Sequence, residues 1–331
     1  MKGTCSSTSS SLLLRNRRVE NLEMSCFGSS KTSVSSVFNG GKSAEIERDY
    51  RNGDGCSSSF DDSRDGWADG DGWGAVVVSI VRIVTCFVTM MFTTFFWGVL
   101  MVLLLPWPYA RIRQGNVYGH VTGRLLMWIL GNPIKIEGAE FSNTRGIYIC
   151  NHASPLDIFL IMWLTPTGTV GIAKKEIIYY PLFGQLYVLA NHLRIDRSNP
   201  VAAIESMKEV ARAIVKKNLS LVLFPEGTRS KTGRLLPFKK GFVHIALQSR
   251  LPIVPIVLTG THLAWRKNSL HVRPAPLTVK FLPPIKTNDW MAENIDGHVK
   301  MVYDLFIKNL PERQRPVMVE ELDDLSRKKP S

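Results

Sequence analysis

The chain is poor in cysteine. Its five thiols (Cys5, Cys26, Cys56, Cys86 and Cys150) form no C-x-x-C pair and follow no regular spacing. That pattern argues against a structural zinc site and against a disulfide framework, leaving reduced thiols as the default. No G-x-S-x-G elbow occurs, so the usual context for a serine nucleophile on an α/β sheet is missing. Acids are scarce at the start, where residues 1–43 hold Glu20 and Glu23 against six basic residues and twelve serines. No apolar run there has the length of a secretory signal, Leu12-Leu13-Leu14 being too short. Such a serine-rich, acid-poor start suits a plastid transit peptide and a solvated tail equally well. Gly40-Gly41-Lys42-Ser43 ends like a phosphate-binding loop, but Ser36 stands where the leading glycine belongs and no apolar strand precedes it. Internal repeats are absent too.

What is present begins with charge. The formal net charge is +13, yet residues 1–74 contain nine Lys/Arg and eleven Asp/Glu, so the body beyond them carries +15. A basic body fits either nucleic acid or an anionic membrane surface. Ile83–Leu105 is a run of 23 residues without a charge. As a helix it is long enough to cross a hydrocarbon core of about 30 Å. Trp107, Tyr109, Arg111 and Arg113 follow it, as interfacial aromatics and cytoplasmic arginines do. That neighbour favours the membrane over nucleic acid. Residues 121–130 are apolar but short, and read as an interfacial or re-entrant segment.

From Gly146 onward short β-branched runs alternate with helical patterns. Gly146–Cys150, Thr169–Ala173, Leu219–Phe224, Pro252–Leu258 and Leu277–Leu282 read as strands. Val201–Lys217 is an amphipathic helix with Ile204, Met207, Val210, Ala211 and Ile214 on one face, and Phe242–Gln248 and Ile295–Leu310 are further helices. Alternation of this kind predicts an α/β layered domain around a largely parallel central sheet. The expected organisation is a disordered segment over 1–74, a membrane anchor and interfacial helix over 75–131, a catalytic-sized domain over 132–311 and a loose charged tail over 312–331.

Two motifs carry chemistry. Asn151-His152-Ala153-Ser154-Pro155-Leu156-Asp157 puts an imidazole and a carboxylate at a strand-to-helix turn. A positioned imidazole removes the proton of an attacking hydroxyl near its own pKa, and a carboxylate on the other ring nitrogen fixes the tautomer. Ser154, Pro155 and Asp157 also read as the N-cap, first residue and third residue of a capping box. Backbone N–H groups around Ser154–Asp157 are candidates for stabilising an oxyanion. Downstream, Phe224-Pro225-Glu226-Gly227-Thr228-Arg229-Ser230 follows another strand, and the planar guanidinium of Arg229 suits a phosphomonoester. Glu226 would hold this loop, or position Arg229 or a substrate hydroxyl. Lys174 follows the Thr169–Ala173 strand as a further phosphate contact, while Lys239 and Lys240 could serve CoA phosphates or lipid headgroups. Cys150 ends an apolar strand and reads as packed. His192, His244 and His262 show no metal-ligand spacing.

Together the H-x4-D pair and F-P-E-G-T-R-S resemble the first and third signature blocks of the glycerolipid acyltransferases. Ile195-Asp196-Arg197, after Gly184-Gln185-Leu186, resembles the second, and Leu251–Val257 the fourth. Over about Trp107–Trp290 the chain is similar to the plant microsomal branch that acylates lysophosphatidic acid. The resemblance implies direct transfer from acyl-CoA to the sn-2 hydroxyl of 1-acyl-sn-glycerol 3-phosphate, with His152 as base and Asp157 beside it. It implies acceptor binding by Glu226, Gly227, Thr228 and Arg229, with Arg197 at the acceptor phosphate and the fourth block lining the acyl side. No metal or redox cofactor is implied, since acyl-CoA is itself a substrate; the partners are membrane lipid, acyl-CoA and lysophosphatidic acid, not nucleic acid. The same blocks also serve other acceptors, such as glycerol 3-phosphate or another lysophospholipid. A non-catalytic membrane-binding scaffold is the remaining alternative, which the intact His152, Asp157, Glu226 and Arg229 oppose. Lys328-Lys329-Pro330-Ser331 looks like a dilysine retrieval signal and points to the endoplasmic reticulum membrane, with the plastid membrane as the alternative.

Overall fold

In the computed structural model of the chain, residues 73–179, 183–195 and 200–317 are described. The serine-rich segment up to residue 72, Arg197 and the dilysine end lie outside them. Seven strands form one sheet: β1 (Ile134–Glu137), β2 (Ile147–Cys150), β3 (Thr169–Lys174), β4 (Leu193–Ile195), β5 (Ser220–Leu223), β6 (Ile253–Thr259) and β7 (Leu277–Phe281). Their spatial order is β1-β7-β6-β2-β5-β3-β4. β6, β2, β5, β3 and β4 run parallel, whereas β7 pairs antiparallel to β6 and carries β1 parallel to itself. The sheet is therefore largely parallel with a reversed edge, as the alternation of patterns predicts.

β2 sits at the centre and every residue of it is buried, as is all of β6 before Thr259. These strands read as continuous apolar runs because helices cover both faces of the sheet. α5 (Pro200–Lys216), α6 (Gly241–Ser249) and α8 (Ile295–Asn309) contribute Val210, Ile214, Phe242, Val302 and Phe306 to one apolar cluster with Ile147, Ile149 and Leu221. On the opposite face Tyr148, Cys150, Val254 and Ile256 pack with Leu156 and Leu160 of α3 (Leu156–Leu164) and Leu126, Met127 and Leu130 of α2 (Pro108–Leu130). β1, β4 and the helices α4 (Phe183–Leu189) and α7 (Thr261–Ala264) are short elements that the sequence pattern does not announce.

The membrane-directed part differs from expectation in three ways. The first helix, α1, runs from Trp73 to Leu103, ten residues ahead of the uncharged stretch, and takes Arg82 into its span. It is long and apolar enough to cross a membrane. Residues 121–130 are not a separate segment but the second half of α2, which starts at Pro108 and ends at Gly131 in the left-handed region (φ 69°). Arg111 is turned inward and donates to the Leu189 carbonyl at 2.9 Å, so of the two arginines only Arg113 is fully exposed.

α1 is fastened to the body along one stripe. Ser79, Cys86, Thr93, Thr94 and Met101 are buried at near-heptad spacing. Ser79 Oγ donates to the Val272 carbonyl and accepts from the Val272 N–H, and Thr94 Oγ1 lies 2.8 Å from Tyr118 Oη. The opposite face leaves Val84, Phe87, Phe92, Phe95 and Val99 exposed. α2 in turn lies close on α3, because Gly115, Gly119 and Gly123 occur one turn apart and face it and its neighbours. A Cβ on Gly123 would collide with the Phe159 carbonyl. The small-residue stripe thus seats the helix that carries Asp157.

The domain also continues past residue 311. Gln314 is buried, accepts from the Gly260 N–H through Oε1 at 3.2 Å, and receives the Leu235 N–H at its carbonyl. A glutamine with its amide so engaged belongs to the fold rather than to a loose tail.

Candidate active site

His152 follows β2 directly, and Asp157 lies in the first turn of α3. The strand-to-helix turn brings them together: His152 Nδ1 is 2.9 Å from Asp157 Oδ2. The same oxygen accepts the N–H groups of Ala153 at 2.7 Å and Ser154 at 2.8 Å. An oxygen that already accepts two backbone N–H groups takes a third donor from the ring, so Nδ1 carries the proton and the Nε2 lone pair is left free. Pro155 has helical dihedrals (φ −57°, ψ −27°), so Ser154 takes the capping role, its Oγ accepting from Leu156 N–H at 3.1 Å. Asp157 therefore caps the helix and orients the imidazole with one atom.

This arrangement overturns the expected oxyanion donors. The N–H of His152 goes to Glu226, those of Ala153 and Ser154 to Asp157 Oδ2, that of Leu156 to Ser154 Oγ, and that of Asp157 to the Ser154 carbonyl at 3.3 Å. Pro155 has none to give. The turn spends its donors on holding itself.

The second motif closes over the first. Glu226 is buried, and its Oε1 accepts the His152 N–H at 2.6 Å while Oε2 accepts the Leu236 N–H at 3.0 Å. The Ser230 N–H donates to the His152 carbonyl at 2.8 Å. Phe224, which the sequence reading left without a role, stacks on the His152 ring with centroids 4.0 Å apart. Of the readings open to Glu226, holding the loop is the one the geometry matches. Burial pushes its carboxyl up to about 8, against the pull of the two backbone donors, with the nearby Asp157 charge adding to the rise.

One cleft of about 890 Å³ gathers most of these groups, a size suited to a substrate pocket. His152, Gly227, Thr228 and Arg229 line it together with Ile158, Met162, Ile172, Leu186, Ile204 and Met207. Arg229 is half-buried and has no carboxylate partner among the described residues. Lys174 ends β3, with its side chain outside the described residues, as is the whole of Arg197. The fourth block forms β6 in the core, and none of its residues lines the cleft, so its apolar character serves packing. Cys150 is fully buried, and burial raises its thiol well above the usual range, which makes it inert.

The cleft wall also holds a pair whose contact depends on the fold. His192 stacks on Tyr187 with centroids 4.4 Å apart, and its Nδ1 accepts the Gly171 N–H at 2.9 Å. Desolvation lowers this imidazole to about 4, so it is neutral and presents Nε2–H as a donor.

The family model described as Acyltransferase matches residues 133–259. A 1-acyl-sn-glycerol-3-phosphate acyltransferase from Cocos nucifera is 73% identical over 259 residues, covering 78% of this chain and 84% of the relative. One from Limnanthes douglasii is 63% identical over 249 residues, covering 75% of this chain and 89% of the relative. The crystal structure of the 1-acyl-sn-glycerophosphate acyltransferase from Thermotoga maritima superposes with a TM-score of 0.58 at 23% identity, over 72% of this chain and 98% of that one. At that identity the superposition speaks for the fold alone.

Proposed function

Since this chain belongs to the 1-acyl-sn-glycerol-3-phosphate acyltransferases, we propose that it transfers an acyl chain from acyl-CoA to the sn-2 hydroxyl of 1-acyl-sn-glycerol 3-phosphate, giving phosphatidic acid and CoA. The observation that carries this reading is the placement, on one largely apolar cleft, of an Asp-held imidazole and an arginine with no carboxylate partner among the described residues.

His152 Nε2 takes the proton of the sn-2 hydroxyl as its oxygen attacks the thioester carbonyl. The tetrahedral intermediate collapses with cleavage of the C–S bond. The imidazolium returns its proton to the departing thiolate, so CoA leaves as the thiol and no acyl-enzyme forms. Asp157 stabilises the imidazolium in between. The apolar wall takes up acyl chain, each buried methylene contributing about 0.8 kcal/mol. Arg229 binds the acceptor phosphate through its planar fork. Glu226, Gly227 and Thr228 hold and shape that arginine's loop, and Lys174 and Arg197 supply further positive charge to the headgroup.

The protein acts at a membrane, which the exposed apolar face of α1 supports. The endoplasmic reticulum is the compartment we assign, on the resemblance to plant microsomal enzymes. The reaction is tested in membranes carrying the full chain, with labelled acyl-CoA and a panel of lysophosphatidic acid, glycerol 3-phosphate and lysophosphatidylcholine. Formation of phosphatidic acid that disappears in His152→Ala supports the reading. Preferential acylation of either other acceptor overturns it. Arg229→Lys should raise the KM for lysophosphatidic acid far more than that for acyl-CoA. Fusing residues 1–74 to a fluorescent reporter tests the address, since chloroplast import with cleavage would overturn it.

A further inference from the structure

Two adjacent lysines follow the Phe224–Ser230 loop, and the fold uses them differently. Lys240 Nζ lies 2.7 Å from Asp296 Oδ1, so its charge is matched on the surface. Lys239 has no carboxylate partner among the described residues. Its backbone N–H donates to the Pro225 carbonyl at 2.9 Å, which fixes its Cα beside the loop. From there the side chain lies across Gly227. A Cβ built on Gly227 would stand 3.1 Å from Lys239 Cε and 3.2 Å from both Cδ and Nζ. Gly227 itself has φ +71°, a conformation that resists any side chain. The end of the lysine side chain thus lies close against a bare backbone position.

A second lysine braces the loop further along. Lys267 Nζ donates to the Arg229 carbonyl at 2.9 Å and reaches Thr228 Oγ1 at 3.4 Å. With both peptide ends tied, Gly227 to the Phe224 carbonyl and Ser230 to the His152 carbonyl, the segment Gly227–Arg229 is a fixed surface of the cleft. Lys239, Gly227, Thr228, Arg229 and His152 all line that cleft. The N–H groups of Thr228 and Arg229 find no acceptor among the described residues, and such adjacent donors after a left-handed glycine form an anion-binding concavity.

A phosphomonoester carries about −1.5 to −2 charges at neutral pH. One guanidinium matches only part of that. We propose that Lys239 is a further cation of the acceptor-phosphate site beside Arg229, reaching the phosphate across Gly227. This rests on the reading of Arg229 as phosphate ligand. It assigns the conformation of Gly227 a purpose: the glycine leaves the lysine its path.

The same chemistry could be met by the 3′-phosphate of CoA, so the experiment separates the two sources. In membranes carrying the full chain, KM values for lysophosphatidic acid and for acyl-CoA are measured in wild type, Lys239→Gln, Lys239→Arg, Arg229→Lys and Lys300→Gln. The last removes one charge from the outer surface of α8 and controls for bulk attraction of anionic lipid. The expected result is an acceptor KM raised at least tenfold in Lys239→Gln, with acyl-CoA KM within twofold of wild type. Lys239→Arg should recover to within about threefold, and Lys300→Gln should match wild type. If Lys239→Gln instead raises the acyl-CoA KM, and acyl-dephospho-CoA abolishes the difference from wild type, the lysine serves CoA and the proposal fails. If Arg229→Lys raises the acceptor KM and Lys239→Gln does not, the proposal fails while the Arg229 reading stands. If neither variant raises it, both fall.

Discussion

The backbone N–H of His152 donates to Glu226 Oε1 at 2.6 Å, joining two motifs 74 residues apart in the chain. The second oxygen of Glu226 takes the Leu236 N–H, so one buried carboxyl holds the His152 turn and the Phe224–Ser230 loop in register. Glu226→Ala leaves two backbone donors unpaired at about 1–3 kcal/mol each. The expected outcome is a lower Tm together with a fall in kcat. A variant with wild-type Tm and kcat would show that the clamp is dispensable.

The raised carboxyl of Glu226 also predicts a pH effect. Its folded pKa of about 8 lies above the ordinary 4.5, so the folded state binds the proton more tightly than the unfolded chain. The associated stability is present below pH 4.5 and is lost as pH rises through about 8. Thermal melts from pH 5 to 9 should fall more steeply for wild type than for Glu226→Gln, which stays neutral throughout. Parallel curves would count against the shift.

His192 predicts the opposite slope on the acid side. Its folded pKa of about 4 lies below the ordinary 6.5, so its contribution is present above pH 6.5 and is lost as pH falls toward 4. His192→Asn can still accept from the Gly171 N–H but does not titrate. Its melting curve should be flatter than wild type between pH 6.5 and 4. An equal decline in both would place the acid sensitivity elsewhere.

Asp157 performs capping and orientation through Oδ2, and the two roles are separable. Asp157→Asn can keep an oxygen facing the Ala153 and Ser154 N–H groups while losing the charge that holds the imidazolium. A modest loss of Tm, about 1 kcal/mol of capping at most, with kcat reduced by at least a hundredfold is expected. His152→Ala should abolish turnover with Tm nearly intact. A kcat for Asp157→Asn within threefold of wild type would reduce the carboxylate to a cap.

Gly123 sets how closely α2 approaches α3. Gly123→Val meets the Phe159 carbonyl, which is backbone and cannot step aside. Overpacking of this kind costs about 1–3 kcal/mol or more, and here it displaces the helix bearing Asp157. Lower Tm and lower kcat are expected, whereas Gly98→Val, in open space on α1, should be silent. A Gly123→Val protein with unchanged melting would contradict the close packing.

α1 presents an exposed apolar face and is also structural. Deleting it removes Cys86 and Met101 from apolar clusters and breaks the Ser79–Val272 bonds, so a truncated chain should be unstable as well as detached. The cleaner test changes Val84, Phe92 and Phe95 on the exposed face to Glu. Release from membranes under high-salt and carbonate washes, with Tm in detergent unchanged, is expected. Full retention would show that α1 does not hold the protein to lipid.

Local chemistry made much of this protein legible from its residues. The β-branched runs fixed five strands because strands buried on both faces must be apolar throughout. Ser154, Pro155 and Asp157 fixed the start of α3 because capping is a matter of a few neighbouring residues. The H-x4-D pair and Arg229 stood out because their chemistry is local as well. What lay beyond reach depended on partners distant in sequence. The Phe224–Ser230 loop does not announce that both oxygens of Glu226 end on backbone N–H groups of other segments. The glycines of α2 read as interruptions in an apolar stretch until α3 lies against them. β1 and β4 are too short to carry a period and exist through their pairing with β7 and β3. The N–H groups of the catalytic turn, free for an oxyanion in the sequence, are consumed once the turn closes. Sequence determines which groups are available; burial and backbone hydrogen bonding, which only the folded sheet supplies, decide which of them remain free to act.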